Sequence, residues 1–169
     1  VANSAGTAFL IGQEYLWSEQ KMLLKYSFTP TEYPQYRTNL LGSNFRGQML
    51  KDYNGMTFWL SANMASLLNK ETKNGNNSRF PKWLNAAFGY GADGMIGGKI
   101  NPVKDNNGNP LPWFKRERQF YLSLDVDLTR IKTNSKFFNA FLNAFGFIKF
   151  PAPTIEFIGE KIKFHPVFL

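Results

Sequence analysis

No cysteine occurs anywhere in the 169-residue chain, which removes a disulfide framework, a thiolate metal site and a cysteine nucleophile. Histidine is nearly as scarce. The single His165 lies between Phe164 and Pro166 with no H-x-x-H or H-E-x-x-H partner, so a histidine-based metal centre would need carboxylates from distant parts of the chain. No G-x-S-x-G elbow is present for a serine nucleophile. No apolar run approaches the roughly 18 to 20 residues of a membrane-spanning helix. Acidic residues are the minority sign, 12 against 20 Lys and Arg, and the net charge of +8 favours an anionic partner. Nucleic acid, phospholipid head groups and lipopolysaccharide phosphates all satisfy that sign. Internal repeats, charge blocks and domain-splitting linkers are missing too, so residues 1–169 read as one domain.

Aromatic residues are abundant instead, with 17 Phe, 7 Tyr and 4 Trp, while the mean hydropathy is slightly polar. A thick soluble core has that composition. So does a β-barrel wall with aromatic girdles, in which apolar and polar residues alternate and the average cancels.

Periodicity divides the chain. The opening Val1-Ala2-Asn3, without an initiator methionine, reads as a processed or truncated start, and residues 1–20 as a helix continuing from an upstream helical part. Within it Ala5, Ala8, Phe9, Gly12 and Leu16 share a face whose small residues would let another backbone approach. From Lys21 the period becomes two, with Met22, Leu24, Tyr26 and Phe28 against Leu23, Lys25 and Ser27, until Pro30 and Pro34 end the strand. Residues 35–55 read as a long polar connection. Alternation returns over 56–66, with Phe58, Leu60, Ala62 and Met64 opposite Thr57, Trp59, Ser61 and Asn63, and a polar hairpin loop follows over 69–82.

Residues 116–130 are the clearest strand: Phe120, Leu122, Leu124, Val126 and Leu128 line one face, Gln119, Tyr121, Ser123, Asp125, Asp127 and Thr129 the other. Asn134-Ser135 then caps an amphipathic Phe-rich helix near residues 135–146, with Phe137, Phe138, Phe141, Leu142 and Phe145 on one side. Such a stripe suits an interfacial membrane helix and an ordinary core helix equally. A closing hairpin turns at Gly159-Glu160, pairing 154–158 with 161–164. The fold expected is mainly β with helices: an antiparallel meander of five or six strands over 21–169, open or barrel-like, with an inserted helix.

The stretch AFGYGADGMIGG, residues 87–98, contains a literal G-x-G-x-x-G at Gly89, Gly91 and Gly94. A dinucleotide site needs a helix to leave the glycines, and the Gly, Asn and Pro that follow cannot propagate one. Residues 83–94 alternate as a strand instead, with Leu84, Ala86, Phe88 and Tyr90 on one face. Gly89 and Gly91 then fall on the other, where missing side chains make room for a bulky group such as Trp59 or let the strand bend.

Taken together, VANSAGTAFLIGQEYLWSEQ, YNGMTFWLSANM, PKWLNAAFGYGADGMIGG, RQFYLSLDVDLTRIKTNSKF and FPAPTIEF resemble the C-terminal part of the YfiM-like family of uncharacterised Gram-negative envelope proteins. Ala2-Asn3 and Gly6 would correspond to the end of an Asp-x-x-Ala-Asn-x-x-Gly helix segment that is also similar to VanZ-like membrane proteins. The upstream Asp of that pattern is not in this sequence. The resemblance implies a location in the periplasm or outer membrane and a helix-then-sheet layout, and no reaction.

Asp125 and Asp127 share a strand face with Tyr121 and Ser123, at the i, i+2 separation of about 6.5 to 7 Å that suits paired carboxylates. With Glu156 and His165 they form the polar centre an enzyme would use on lipid or glycan. A polar sheet face turned to water or a barrel lumen carries the same residues without chemistry. Lys70, Lys73, Arg79, Lys82, Lys99, Lys104, Lys115, Arg116, Arg118, Arg130 and Lys132 are scattered through loops and strand ends with no RNP-like signature, which argues against nucleic acid and suits a bilayer edge or a solvated surface. The combination points to a non-enzymatic outer-membrane-associated protein, a subunit or scaffold of an envelope assembly or transport complex. Its expected partners are outer-membrane lipid or lipopolysaccharide and other proteins of a membrane complex, with no cofactor, no metal and no nucleic acid. Phe58, Leu60, Phe88, Tyr90, Phe120, Leu122, Leu124, Val126, Leu128, Phe137, Phe141 and Phe145 would face membrane or covering helices. The alternatives are an envelope lipid- or glycan-modifying enzyme and a soluble basic binding module.

Overall fold

The computed structural model describes residues 2–68, 80–105 and 107–169. The hairpin loop expected over 69–82, with Lys70, Lys73 and Arg79, lies mostly outside them. At the centre is an open antiparallel meander of six strands in chain order: β1 (Met22–Phe28), β2 (Met56–Asn63), β3 (Leu84–Asp93), β4 (Glu117–Val126), β5 (Ala152–Ile158) and β6 (Lys161–Phe168). Around it lie α1 (Ala2–Trp17), α2 (Thr38–Leu41), α3 (Phe45–Lys51), α4 (Met64–Leu68) and α5 (Lys136–Ala144). The expected class, mainly β with an N-terminal helix and a Phe-rich helix, is the one observed.

The strand registers carry the alternation of each strand into its neighbours. Tyr26, Phe58, Tyr90, Phe120, Phe157 and Ile162 are successive cross-strand partners over all six strands. Leu24, Leu60, Phe88, Leu122, Ile155 and Phe164 form a second such row. On the opposite face the partners are Lys25, Trp59, Gly89, Tyr121, Glu156 and Lys163, and next to them Leu23, Ser61, Ala87, Ser123, Thr154 and His165. The apolar rows are the exposed ones: Leu24 is 59% accessible, Phe58 58%, Leu122 49% and Leu124 48%. Among the described residues fifteen buried side chains are polar or charged and nine apolar, the reverse of the usual preference for apolar side chains inside.

The sheet curls about its polar face. Trp59 and Tyr121 stack with ring centroids 5.6 Å apart, and Phe168 from β6 reaches both, 6.1 Å from Trp59 and 4.8 Å from Tyr121. A bulge brings Phe168 there. Thr154 pairs with His165 but Ala152 pairs with Phe168, so β6 holds one extra residue and its facing set changes parity around Pro166, which has no N–H to give the ladder. Gly89 is the space Trp59 fills: a Cβ there would lie 2.7 Å from the indole and 3.0 Å from Tyr121. Gly94 has φ of +69° and approaches the Lys115 carbonyl to 2.0 Å from a built Cβ. The glycines of residues 89–94 therefore serve chain packing.

Several element ends differ from the expected ones. The strand expected to run to Arg130 stops at Val126, because Asp127 turns its carboxylate onto the Thr129 N–H and caps a 3-10 turn over Leu128–Arg130. Leu128 and Thr129 thus leave the strand faces assigned to them. β2 ends at Asn63, whose side chain accepts the Ser66 N–H at 2.9 Å and starts α4, so Met64 is not on the strand. The connection over 35–55 contains α2 and α3, the latter capped by the Asn44 side chain on Gly47 N at 2.8 Å. α5 forms where expected, with Ser135 capping it, but Phe137, Phe138, Phe141 and Phe145 are all exposed. α1 is tied down by Gln13, whose carbonyl accepts Lys21 N and Met22 N, while Leu10, Ile11, Tyr15 and Leu16 are exposed and a Cβ at Gly12 would meet nothing within 4 Å.

Gly89→Ala is expected to destabilise the fold by about 1 to 3 kcal/mol, the usual cost of overpacking, measured as a lowered denaturant midpoint. Gly98→Ala, where a Cβ would meet nothing, leaves the midpoint in place.

Candidate functional site

The chemistry-bearing side chains gather on the concave face of the sheet. At one end Asp125 of β4 is fully buried and faces two lysines from distant parts of the chain. Lys25 Nζ of β1 lies 2.8 Å from Asp125 Oδ2, and Lys149 Nζ, from the segment before β5, lies 3.8 Å from Oδ1. Ser61 donates its hydroxyl to the same carboxylate, and Phe150 N donates to Oδ1 at 3.3 Å. Two buried ammoniums against one carboxylate leave an excess of donors, which backbone carbonyls absorb: Lys25 donates to Val126 O at 2.7 Å, and Lys149 to Leu124 O and Phe150 O at 2.8 Å each. Lys149 also stands 4.9 Å over the Trp59 ring, whose Nε1 donates to Ser27 Oγ at 2.9 Å. Burial pushes the Lys149 ammonium down to about 8, with Lys25 adding to the depression and Asp125 opposing it.

A chain of neutral groups continues from Ser61. Asn85 donates to Ser61 Oγ at 2.9 Å, and Asn63 donates to Asn85 Oδ1 at 2.8 Å and to Lys82 O at 2.7 Å. On the row of Ser61 itself, Thr154 donates to Ser123 Oγ at 2.8 Å. Nearly every buried polar side chain of the concave face is thus paired, as a polar interior requires.

The second charged centre lies on the β6 side. Glu156 Oε2 is 2.7 Å from His165 Nε2 and 3.9 Å from Lys163 Nζ, and Glu156 Oε1 accepts Gln119 Nε2 at 3.0 Å. Tyr121, beside Glu156, has its phenol pKa raised by burial first, then by the carboxylates of Glu156 and Asp93. His165 is one-third exposed, which makes this pair the accessible part of the network.

Of the four residues an enzyme was expected to use, the structure brings together Glu156 and His165 only. Asp125 shares their face but is sealed in the lysine cluster. Asp127 is beyond the strand end, where it caps the 3-10 turn and pairs with Arg130 Nε at 3.2 Å, so the two aspartates do not converge on a common point. Lys149, whose ammonium is depressed by burial, stands in a segment without periodicity and was not singled out by sequence. No group of three or more histidines, cysteines or carboxylates among the described residues could hold a metal. The chain matches no family model, no curated protein and no solved structure.

Asp125→Asn should cost about 3 to 5 kcal/mol, the penalty for leaving buried ammoniums without a counter-charge, and adding Lys149→Met should recover part of it in chemical denaturation. A second expectation concerns pH. The native pKa of Lys149 is about 8, below its ordinary 10.5, so below pH 8 the native state bears the cost of the buried charge. As pH rises through that window the native lysine gives up its proton while the unfolded one keeps it. Stability relative to Lys149→Met should therefore rise between about pH 8 and 10.5, and a flat difference between the two denaturation midpoints over that range would contradict it.

Proposed function

We propose that the protein is a non-enzymatic component of the outer membrane, a subunit or scaffold of an envelope assembly or transport complex, with the convex face of its sheet seated in lipid. One observation carries this: unbroken apolar rows cross all six strands on the exposed face, while lysines, carboxylates and amides fill the covered one. In water that arrangement leaves the apolar side of every strand unburied, far beyond the scattered patches of a soluble surface. In a bilayer each face meets its own kind of solvent. No described helix is long and apolar enough to cross a membrane, so the sheet would be the embedded element. β3 and β4 have ten residues each, which at about 3.3 Å per residue and a tilt of about 40° would span roughly the 25 Å apolar band of membrane barrels. The resemblance to YfiM-like envelope proteins agrees with this placement.

An envelope enzyme acting on lipid or glycan is the second reading, favoured by the partly exposed Glu156–His165 pair, which is placed to move a proton. Loss of a lipid or glycan modification in a folded Glu156→Gln variant would support it, and unchanged modification would favour the scaffold.

The membrane reading is tested by extraction. The wild type should need detergent for release from membranes, and Leu122→Arg, in the middle apolar row, should weaken insertion by about 2 to 4 kcal/mol, the cost of a lipid-facing arginine at the bilayer midplane. Release of the wild type by high salt alone would point to a soluble basic binding module.

A further inference from the structure

The apolar rows of the convex face end at a cluster of cations where β4 begins. Arg118 has the same outward parity as Phe120 and Leu122, and lies one row beyond Tyr90, Phe120 and Phe157. Its cross-strand partner Ala92 and the nearby Gly159 turn are small. Beside it opens a pocket of about 380 Å³, lined by Lys115, Arg116, Glu117 and Arg118, with Phe120 and Phe157 below and Gly159 at its edge. That size is within the roughly 300 to 1,000 Å³ of small-molecule sites.

Resting on a lipid-seated convex face, we propose that this pocket binds the phosphomonoester head group of an acylated amphiphile, with an acyl chain on Phe120 and Phe157. Three features select that chemistry. The order from apolar rows through a mainly aromatic row to cations is the order in which a membrane protein meets acyl chains, the head-group boundary and lipid phosphates. Arg116 is anchored by Nη2 donating to Gly98 O at 2.8 Å, which holds a fixed cation at the pocket lining. The charge balance is the third. Lys115, Arg116 and Arg118 face one carboxylate, Glu117, which holds Lys115 Nζ at 2.6 Å and raises its pKa. At the adjacent turn Glu160 also acts on Lys115, and Lys161 follows it in the chain. The lining thus has a net charge of +2 (three cations less one anion), and a phosphomonoester, at about −1.5 to −2 near neutral pH, matches it better than a singly charged diester. Arg118 adds the planar fork that suits phosphate oxygens.

The test uses the full chain with phosphatidylcholine vesicles doped to equal surface charge with phosphatidic acid, phosphatidylglycerol or lipid A. Binding is measured by flotation and by titration of tryptophan fluorescence. Preference for phosphatidic acid or lipid A over phosphatidylglycerol is expected, and whichever of the two binds tighter assigns the head group to a glycerophospholipid or a glycolipid. Arg118→Gln should lower that affinity about fivefold, the effect of one cation at a lipid surface, and Arg118→Lys should retain part of it. Lys132→Gln, an equal charge change near the opposite rim, should leave the preference intact. Equal binding of monoester and diester lipids, or equal losses from Arg118→Gln and Lys132→Gln, would overturn the site while the membrane reading stands. A wild type that floats with no vesicle, phosphatidylcholine alone included, would overturn both.

Discussion

Asp125 is the point at which separate stretches of chain are tied across the interior. Lys25 comes from β1, Ser61 from β2, and Lys149 with Phe150 from the segment that leads into β5, and all four engage one carboxylate on β4. β1 and β4 are not neighbours in the sheet, so the Lys25 contact holds the curl rather than a strand pair. Desolvating three charges costs several kcal/mol per ion, and attraction offsets that only when the surplus donors also find partners. Here they do, through carbonyls at the end of β4, Phe150 O and the face of Trp59.

The same cluster explains why the sheet faces the way it does. An interior that holds lysines and carboxylates needs a wall lined with hydroxyls and amides, and Ser27, Ser61, Asn63, Asn85, Ser123 and Thr154 supply it. The space left over is filled by the stack of Trp59, Tyr121 and Phe168, which fits because β3 has glycine at position 89. With the polar parity committed inward, every large apolar side chain of the alternate parity must point outward. The exposed Phe and Leu rows are thus the geometric consequence of a polar core in a two-fold repeat.

That inversion marks the boundary of what the sequence made legible. Period-two alternation revealed the strands, their faces and the pairing of Gly89 with Trp59, because each depends on local spacing. It could not say which face is covered, since alternation is symmetric and burial is decided by residues far apart in sequence, such as Lys25 and Lys149. Side-chain caps were also hidden: Asn63 and Asp127 fit the strand pattern until their carbonyl and carboxylate groups turn back onto Ser66 and Thr129. The parity change at β6 was signalled only by Pro166, a residue that commonly sits at bulges. Of the candidate site, Glu156 and His165 were recognisable as polar residues of one hairpin, whereas the lysine cluster assembles only when the sheet curls.

An open sheet leaves its edges to be accounted for. Along β1, Tyr26 N donates to Phe147 O and Lys149 N to Tyr26 O, so the segment before β5 covers that edge where Lys149 enters the interior. β6 is terminal in the sheet, and Leu169, which follows it, comes near the end of β1, with Thr29 Oγ1 3.5 Å from Leu169 O. Pro166 and the bulge interrupt the ladder in the second half of β6, which disfavours a further regular strand there. The first half, Lys161 to His165, has no such interruption. In hydrocarbon an unpaired backbone amide or carbonyl costs several kcal/mol, so a lipid-seated sheet requires that stretch to be paired or covered. A neighbouring strand or a packed helix would satisfy it. Among the described residues the polar side chains of the concave face are nearly all paired, so the first half of β6, rather than the interior, is the stretch that a lipid-seated sheet would leave to be covered.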